Sequence, residues 1–226
     1  MNYYLTGDLH GEGRRLANLI DKLDKNDTLI VLGDFGFIWD NSLELERTML
    51  DALEKALPYT IAFVDGNHEN FPMIQELETI EEWNGGRIGR ISKNIIHLLR
   101  GEVYNLNGKK VGVCGGADSV DISWRTQGIS WWPEERIGIQ DVQNFLEKTK
   151  NTKLDLVLTH DCPAFLVPLV KIYSNINELS EPSVSQQRLQ EIYNETTFAK
   201  WYFGHWHMDR QLTEQFECLY NTIKPI

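Results

Sequence analysis

Apolar residues recur along the chain at two spacings. NYYLTG (2–7) is a short apolar run closed by glycine, and GEGRRLANLIDKLD after it carries Leu16, Leu19, Ile20 and Leu23 at helical intervals. The sequence repeats this pairing twice. TLIVLG (28–33) precedes a helix through Leu45, Met49, Leu53 and Ala56, and YTIAFVDG (59–66) precedes a helical stretch from about Asn70. Strands alternating with helices predict an α/β fold whose first sheet is largely parallel.

The middle of the chain has a different rhythm. IIHLL (95–99), EVYNL (102–106) and KVGVCGG (110–116) read as short strands, and Asn107-Gly108 between the last two signals a tight hairpin, so antiparallel pairing is expected here. A loop rich in Trp, Arg and Ser (DSVDISWRTQGISWWPEE) leads to a helix with Val142, Phe145 and Leu146 on one face. KLDLVLTHD (153–161) is a buried strand ending in polar residues. A polar helix over 184–195, a strand at KWYFGH (200–205) and strands around 209–213 and 216–220 complete the chain, with no internal repeat.

Length and composition narrow the picture. At 226 residues, 42% hydrophobic and with no compositional break, the chain is expected to form a single domain over 1–226. The start lacks a signal-like apolar run and no apolar segment reaches the ~18 residues of a membrane span, which predicts a soluble, cytoplasmic protein without a membrane partner. Cys114, Cys162 and Cys218 are widely spaced and odd in number, so they read as reduced core thiols. A formal net charge of −11 argues against a long nucleic acid as partner, because such binding draws on Lys and Arg, but leaves room for a small anion in a local pocket.

The candidate chemistry lies where strands end. The strong strands close on GDLHG (7–11), GDFG (33–36), GNHE (66–69), THD (159–161) and FGHWH (203–207). In open α/β sheets ligands sit outside the carboxyl ends of strands, so these segments can converge. Five of the six histidines lie in them; the sixth, His97, reads as a satisfied or half-exposed strand residue. Singly, each segment is as well explained by a solvated loop or a helix cap. Together they offer Asp8, His10, Asp34, Asn67, His160, His205 and His207, a donor set suited to Mn, Fe, Zn or Ni and ill suited to Ca. In an extended strand His205 and His207 would project from one face with Cα atoms ~6.5–7 Å apart, a spacing that lets each reach one ion of a pair ~3.5–4 Å apart, with Trp206 pointing the other way. Asp34 is the candidate bridge. Spacing alone leaves the assignment of ligands to metals open.

In order along the chain, these residues resemble the pattern D-x-H, G-D, G-N-H-[ED], H, G-H-x-H of the calcineurin-like metallophosphoesterase superfamily: Asp8-Leu9-His10, Gly33-Asp34, Gly66-Asn67-His68-Glu69, His160 and Gly204-His205-Trp206-His207. The resemblance implies two β-sheets packed as a sandwich and flanked by helices. It also implies two divalent metal ions, one held by Asp8, His10, Asp34 and His207 and the other by Asp34, Asn67, His160 and His205, with Asp34 bridging. His68 would be the catalytic acid or phosphate-orienting group rather than a ligand. Two such cations would polarise phosphoryl oxygens and lower the pKa of a shared water for in-line attack, and His68 as imidazolium would serve the departing oxygen.

The chain departs from the Ser/Thr protein phosphatases at one block. Where those carry GDxxDRG, with an Asp that orients the catalytic His and an Arg that grips phosphate, Phe37 and Ile38 stand here. That favours a phosphodiesterase or a small-metabolite phosphatase over a protein phosphatase. A catalytically silent scaffold on the same fold is disfavoured because every ligand position and His68 are present. The group orienting His68 is open among Glu69, Asp161 and Asp209. Arg125 could clamp phosphate or pair with Asp121 or Glu134, and Trp131 and Trp132 could stack on a substrate ring or pack the loop. Trp39 and Trp206 are expected to pack beside the ligands and exclude water.

Overall fold

The structure, a computed structural model, describes residues 2–20, 22–176 and 181–226. Strands β1 (Tyr3–Thr6), β2 (Thr28–Leu32) and β3 (Thr60–Val64) alternate with helices α1 (Gly13–Ile20), α2 (Leu43–Ala56) and α3 (Phe71–Leu77). There follow β4 (Thr79–Trp83), β5 (Gly86–Arg90), β6 (Ile95–Leu98), β7 (Glu102–Leu106), β8 (Lys109–Cys114), α4 (Ile139–Thr149), β9 (Lys153–Thr159), α5 (Val167–Tyr173), α6 (Val184–Glu195), β10 (Thr197–Phe203), β11 (Arg210–Gln211), β12 (Phe216–Cys218) and β13 (Lys224–Pro225).

They form a seven-stranded sheet in the order β13-β1-β2-β3-β6-β5-β4 and a six-stranded sheet in the order β11-β12-β10-β9-β8-β7. The centre of each is parallel: β1, β2, β3 and β6 in the first, and β8, β9, β10 and β12 in the second. The central strands of both sheets are buried on both faces, which is why β2 reads TLIVL without a polar break. Within it Ile30 and Leu32 join the core between the sheets, with Val64, Leu98, Val113 and Leu158. Leu29 and Val31 instead face the layer of α1–α3, with Phe35, Phe63 and Ile74. A third cluster, around Phe145, Val157, Leu189 and Trp201, seats α4, α5 and α6 on the second sheet. The layering is α/β/β/α, as expected from the resemblance.

Several local expectations change. The helical stretch expected from Asn70 ends at Leu77, and the chain then forms the hairpin of β4 and β5 about Asn84-Gly85, whose positive φ values of 50° and 85° match a tight turn. β6 pairs antiparallel with β5 but parallel with β3, so only part of the middle region is antiparallel. On α2, Leu45 and Met49 face solvent while Leu50 and Glu46 are buried. The stripe that packs on the core is Leu43, Leu50 and Leu53, and Glu46, buried beside it, accepts the backbone N–H groups of Trp39 and Asp40. The side chain of Ile20 lies outside the described residues. The three cysteines are free and buried.

Candidate metal centre

All five ligand-bearing segments leave the carboxyl ends of parallel strands: Asp8 and His10 after β1, Asp34 after β2, Asn67 after β3, His160 after β9 and His205 with His207 after β10. Because the sheets pack face to face, these ends meet. The side chains gather as two groups, Asp8 with His10 and His207, and Asp34 with His160 and His205. In the first, the Nε2 atoms of His10 and His207 face each other at 2.9 Å, and Asp8 Oδ2 lies 3.1 Å from His207 Nε2 and 3.7 Å from His10 Nε2. In the second, His160 Nε2 lies 3.1 Å from Asn67 Oδ1, 3.3 Å from Asp34 Oδ1 and 3.2 Å from His205 Nδ1. Asp34 touches both, since its Oδ2 is 3.7 Å from His10 Nε2.

Backbone geometry differs from the sequence expectation at the last motif. β10 ends at Phe203, and His205 and His207 have φ of 65° and 48°, so HWH is a left-handed turn and not an extended strand. The pair still separates, one imidazole into each group, but the turn sends them there and not the pleat. Among described residues, every non-glycine residue with positive φ is either an Asn or one of His10, Asp34, His205 and His207. Such conformations cost about 1–3 kcal/mol each and persist only where the surroundings hold them.

Close packing supplies that hold. A Cβ at Gly33 would overlap His160 Nδ1, one at Gly66 would overlap Asp34 Oδ1, and one at Gly204 would overlap Asp8 Oδ1, each well inside the 3.0 Å that real contacts keep. At these three positions the glycine is the space into which a ligand of another motif fits. Hydrogen bonds then orient the donors. His160 Nδ1 donates to the Leu32 carbonyl at 2.7 Å, which aims Nε2 inward. Asp8 Oδ1 accepts from His205 N at 2.9 Å, and Asp34 Oδ1 from His68 N at 2.8 Å. Asn67 Nδ2 donates to Ser119 Oγ, which donates to Glu135 Oε2, so the amide oxygen faces the site. Ser119 escaped the sequence reading, though it lies just beyond β8, whose carboxyl end shares this edge.

The donor set fits divalent cations. Asp8 is buried and its Oδ2 has only the imidazoles of His207 and His10 beside it, and imidazole nitrogens meet at 2.9 and 3.2 Å, a distance that requires a proton or a cation between them. Burial disfavours charge here, but it is outweighed. The imidazoles of His160, His68 and His10 hold the Asp34 carboxyl well below the ordinary range, and Asp34, Asp8 and the Leu32 carbonyl raise His160 to about 10. A pocket that keeps a proton on an imidazole to that pH is one that attracts a cation.

His68 stands over the first group, its ring 5.2 Å from that of His10. None of the three acids considered as its orienting group touches it. Glu69 accepts the N–H groups of Phe35 and Gly36, Asp161 those of Cys162, Trp206 Nε1 and Gln186, and Asp209 those of Tyr220, Asn221 and Thr222. Arg125 touches it instead, with Nη2 at 2.9 Å from His68 Nε2, while its Nε pairs with Asp121 at 2.8 Å. Burial first, then the Arg125 guanidinium, His10 and His160, drive His68 down to about 4 against the pull of Asp34. The imidazolium expected of His68 is therefore not its resting state at neutral pH.

Of the remaining candidates, Trp131 is half-buried and Trp39 is partly exposed, while the others pack. Trp132 is buried and its ring meets Trp39 edge-on at 5.5 Å, and Trp206 is tied to Asp161. His97 is buried and fully satisfied, with Nδ1 at 3.0 Å from Glu78 and Nε2 at 3.3 Å from Asp65. Phe37 and Ile38 belong to the core behind the site. No helix among the described residues is long and apolar enough to cross a membrane. No curated protein matches the chain. The family model described as calcineurin-like phosphoesterase matches residues 1–209, a span that includes all five strand ends, and the chain belongs to that family.

Proposed function

We propose that this protein is a two-metal-ion hydrolase of small phosphate esters, a phosphodiesterase or a small-metabolite phosphatase. The observation that carries the reading is the division of the donors about Asp34, one carboxylate oxygen 3.7 Å from His10 and the other 3.3 Å from His160. Asp8, His10, Asp34 and His207 would hold one ion and Asp34, Asn67, His160 and His205 the other. Two divalent ions there, of the Mn, Fe, Zn or Ni type, would supply an activated water and neutralise phosphoryl oxygens.

The chain's own residues supply the rest. Arg125, held by Asp121 and by the Ser130 carbonyl, presents its guanidinium beside His68, where a phosphoryl oxygen would replace the imidazole as its partner. His68 starts neutral, and an anionic ester between it and Arg125 would raise its proton affinity, so that it takes up a proton from solvent as the ester binds and returns that proton to the departing oxygen. A cavity of about 370 Å³ beside His205 and His207, walled partly by Val120, Val167 and Trp206, is in the range of small-molecule sites. The protein phosphatase reading loses support because Phe37 and Ile38 are buried core residues that offer neither a carboxylate to orient His68 nor a cation to grip phosphate.

The test is an assay of purified, metal-stripped protein resupplied with Mn, Zn, Ni, Fe or Mg against chromogenic phosphomonoesters and phosphodiesters, beside Asp34→Asn. Metal-dependent hydrolysis that Asp34→Asn abolishes is expected. Absence of metal-dependent hydrolysis of every ester would overturn the reading in favour of a scaffold.

A further inference from the structure

His207 is the least enclosed of the candidate ligands, its side chain 49% exposed, and it sits in a left-handed turn that does little to set its ring plane. One group does set it. The ring of Tyr220 stacks on the imidazole at 4.7 Å between centroids with 15° between planes, while His10 meets the same imidazole edge-on at 5.0 Å. Tyr220 lies past residue 209, where the family match ends, so the family pattern does not account for it.

Tyr220 is itself firmly held, and by its main chain. Its carbonyl accepts from Gly7 N, Thr6 Oγ1 and Arg15 Nη2, and its N–H donates to Asp209 Oδ1. These contacts tie it to the residues just before Asp8 and just after His207. A Cβ at Gly7 would overlap the main chain at Leu219 and Tyr220, so this segment fits the approach to Asp8 with no room to spare. The Arg15 guanidinium carbon lies 4.2 Å from the Tyr220 ring centroid, and a buried Arg15 Nη1 has no hydrogen-bond partner, leaving the flat cation to act through the ring.

We propose that Tyr220 is a positioning residue for the Asp8–His10–His207 ligand group: its ring face fixes the plane in which His207 presents Nε2, and Arg15 holds that ring in place. The inference rests on the two-ion reading above. Aromatic contact orients His207 where a carbonyl orients His160, and removing such an outer partner typically weakens metal binding about 10–100-fold. Only one of the two ions should feel it.

The experiment is calorimetric titration of metal-stripped protein with Mn²⁺ alone, for the native chain, Tyr220→Leu and Tyr220→Phe, with thermal melts of the metal-free forms. Because the main-chain contacts of Tyr220 survive substitution, the metal-free melting temperatures should agree within a few degrees. Tyr220→Leu should weaken one Mn²⁺ equivalent about tenfold or more and spare the other, and Tyr220→Phe, which keeps the ring face, should restore it to within about threefold. If the leucine variant does not fold, Tyr220→Met replaces it. Native affinity for both equivalents, equal weakening of both, or a Phe variant as weak as Leu would each overturn the proposal. Fewer than two Mn²⁺ bound by the native chain would overturn the two-ion reading first, a result distinguishable from all of these.

Discussion

Gly66→Ala tests whether close packing, and not merely the presence of the ligands, makes the metal centre. The added Cβ would stand about 1 Å inside the 3.0 Å limit from both Asp34 Oδ1 and the Asp34 backbone nitrogen. Gly66 does not have a left-handed φ, so the perturbation is steric alone. Asp34 must retreat by about that distance, which breaks its 2.8 Å bond from His68 N and draws Oδ1 away from His160. Overpacking of this size costs about 1–3 kcal/mol of stability. Displacement of a reacting group by ~1 Å costs roughly 10²-fold in turnover, and disturbed ligand support costs ~10–100-fold in metal affinity. The assay is Mn²⁺ calorimetry with turnover of a chromogenic ester, both at a temperature where melts show the variant folded. Gly13→Ala is the control, since a Cβ there meets nothing within 4 Å at the start of α1. Native metal affinity and turnover in folded Gly66→Ala would refute the claim that Gly66, like Gly33 and Gly204, is the seat of another motif's ligand.

Three further outcomes follow from the structure. His68→Ala should keep both metals by calorimetry and lose about 10²-fold or more in kcat, whereas near-native turnover would remove His68 from the chemistry. Although burial opposes it, bonding to Asp65 and Glu78 raises His97 to about 9, above its unfolded value near 6.5. Its contribution to stability is then complete below about pH 6.5 and lost as pH rises through 9, on the order of 2–3 kcal/mol, so urea titrations at pH 6.5 and 9.5 should show a drop that His97→Gln flattens. Phe145→Ala removes a fully buried ring from beneath α4 and should cost about 3–5 kcal/mol in denaturant unfolding.

Much of the site was legible because its chemistry is written in residue type at strand ends. Four of the five segments are apolar runs that stop at Gly-Asp, Gly-Asn or Gly-His and the other stops at Thr159-His160, and the structure brings all seven donors to one edge. Less legible was whatever depends on what a side chain meets. Leu45 and Met49 have helical spacing but lie on the solvent side of α2, because a second stripe of the same helix, Leu43, Leu50 and Leu53, is the one that packs on the core. The β4–β5 hairpin carried a signal in Asn84-Gly85, masked by the helical start at Asn70. HWH was expected to divide its histidines by strand alternation, whereas the turn at positive φ divides them.

The sequence by itself determined the α/β layering, through strands apolar on both faces, and the identity of the donors, because imidazole and carboxylate chemistry belongs to the residue. Tertiary structure decided what motif spacing leaves open and only the resemblance implies, which donors share a group, since His207 joins Asp8 and His205 joins Asp34 when two sheets bring their carboxyl ends together. It also decided that Arg125, from a loop 57 residues away, is the partner of His68, and that Tyr220 stacks on His207. Periodicity reports the local face of an element, and contacts between distant segments arise from how faces pack, which no local pattern encodes.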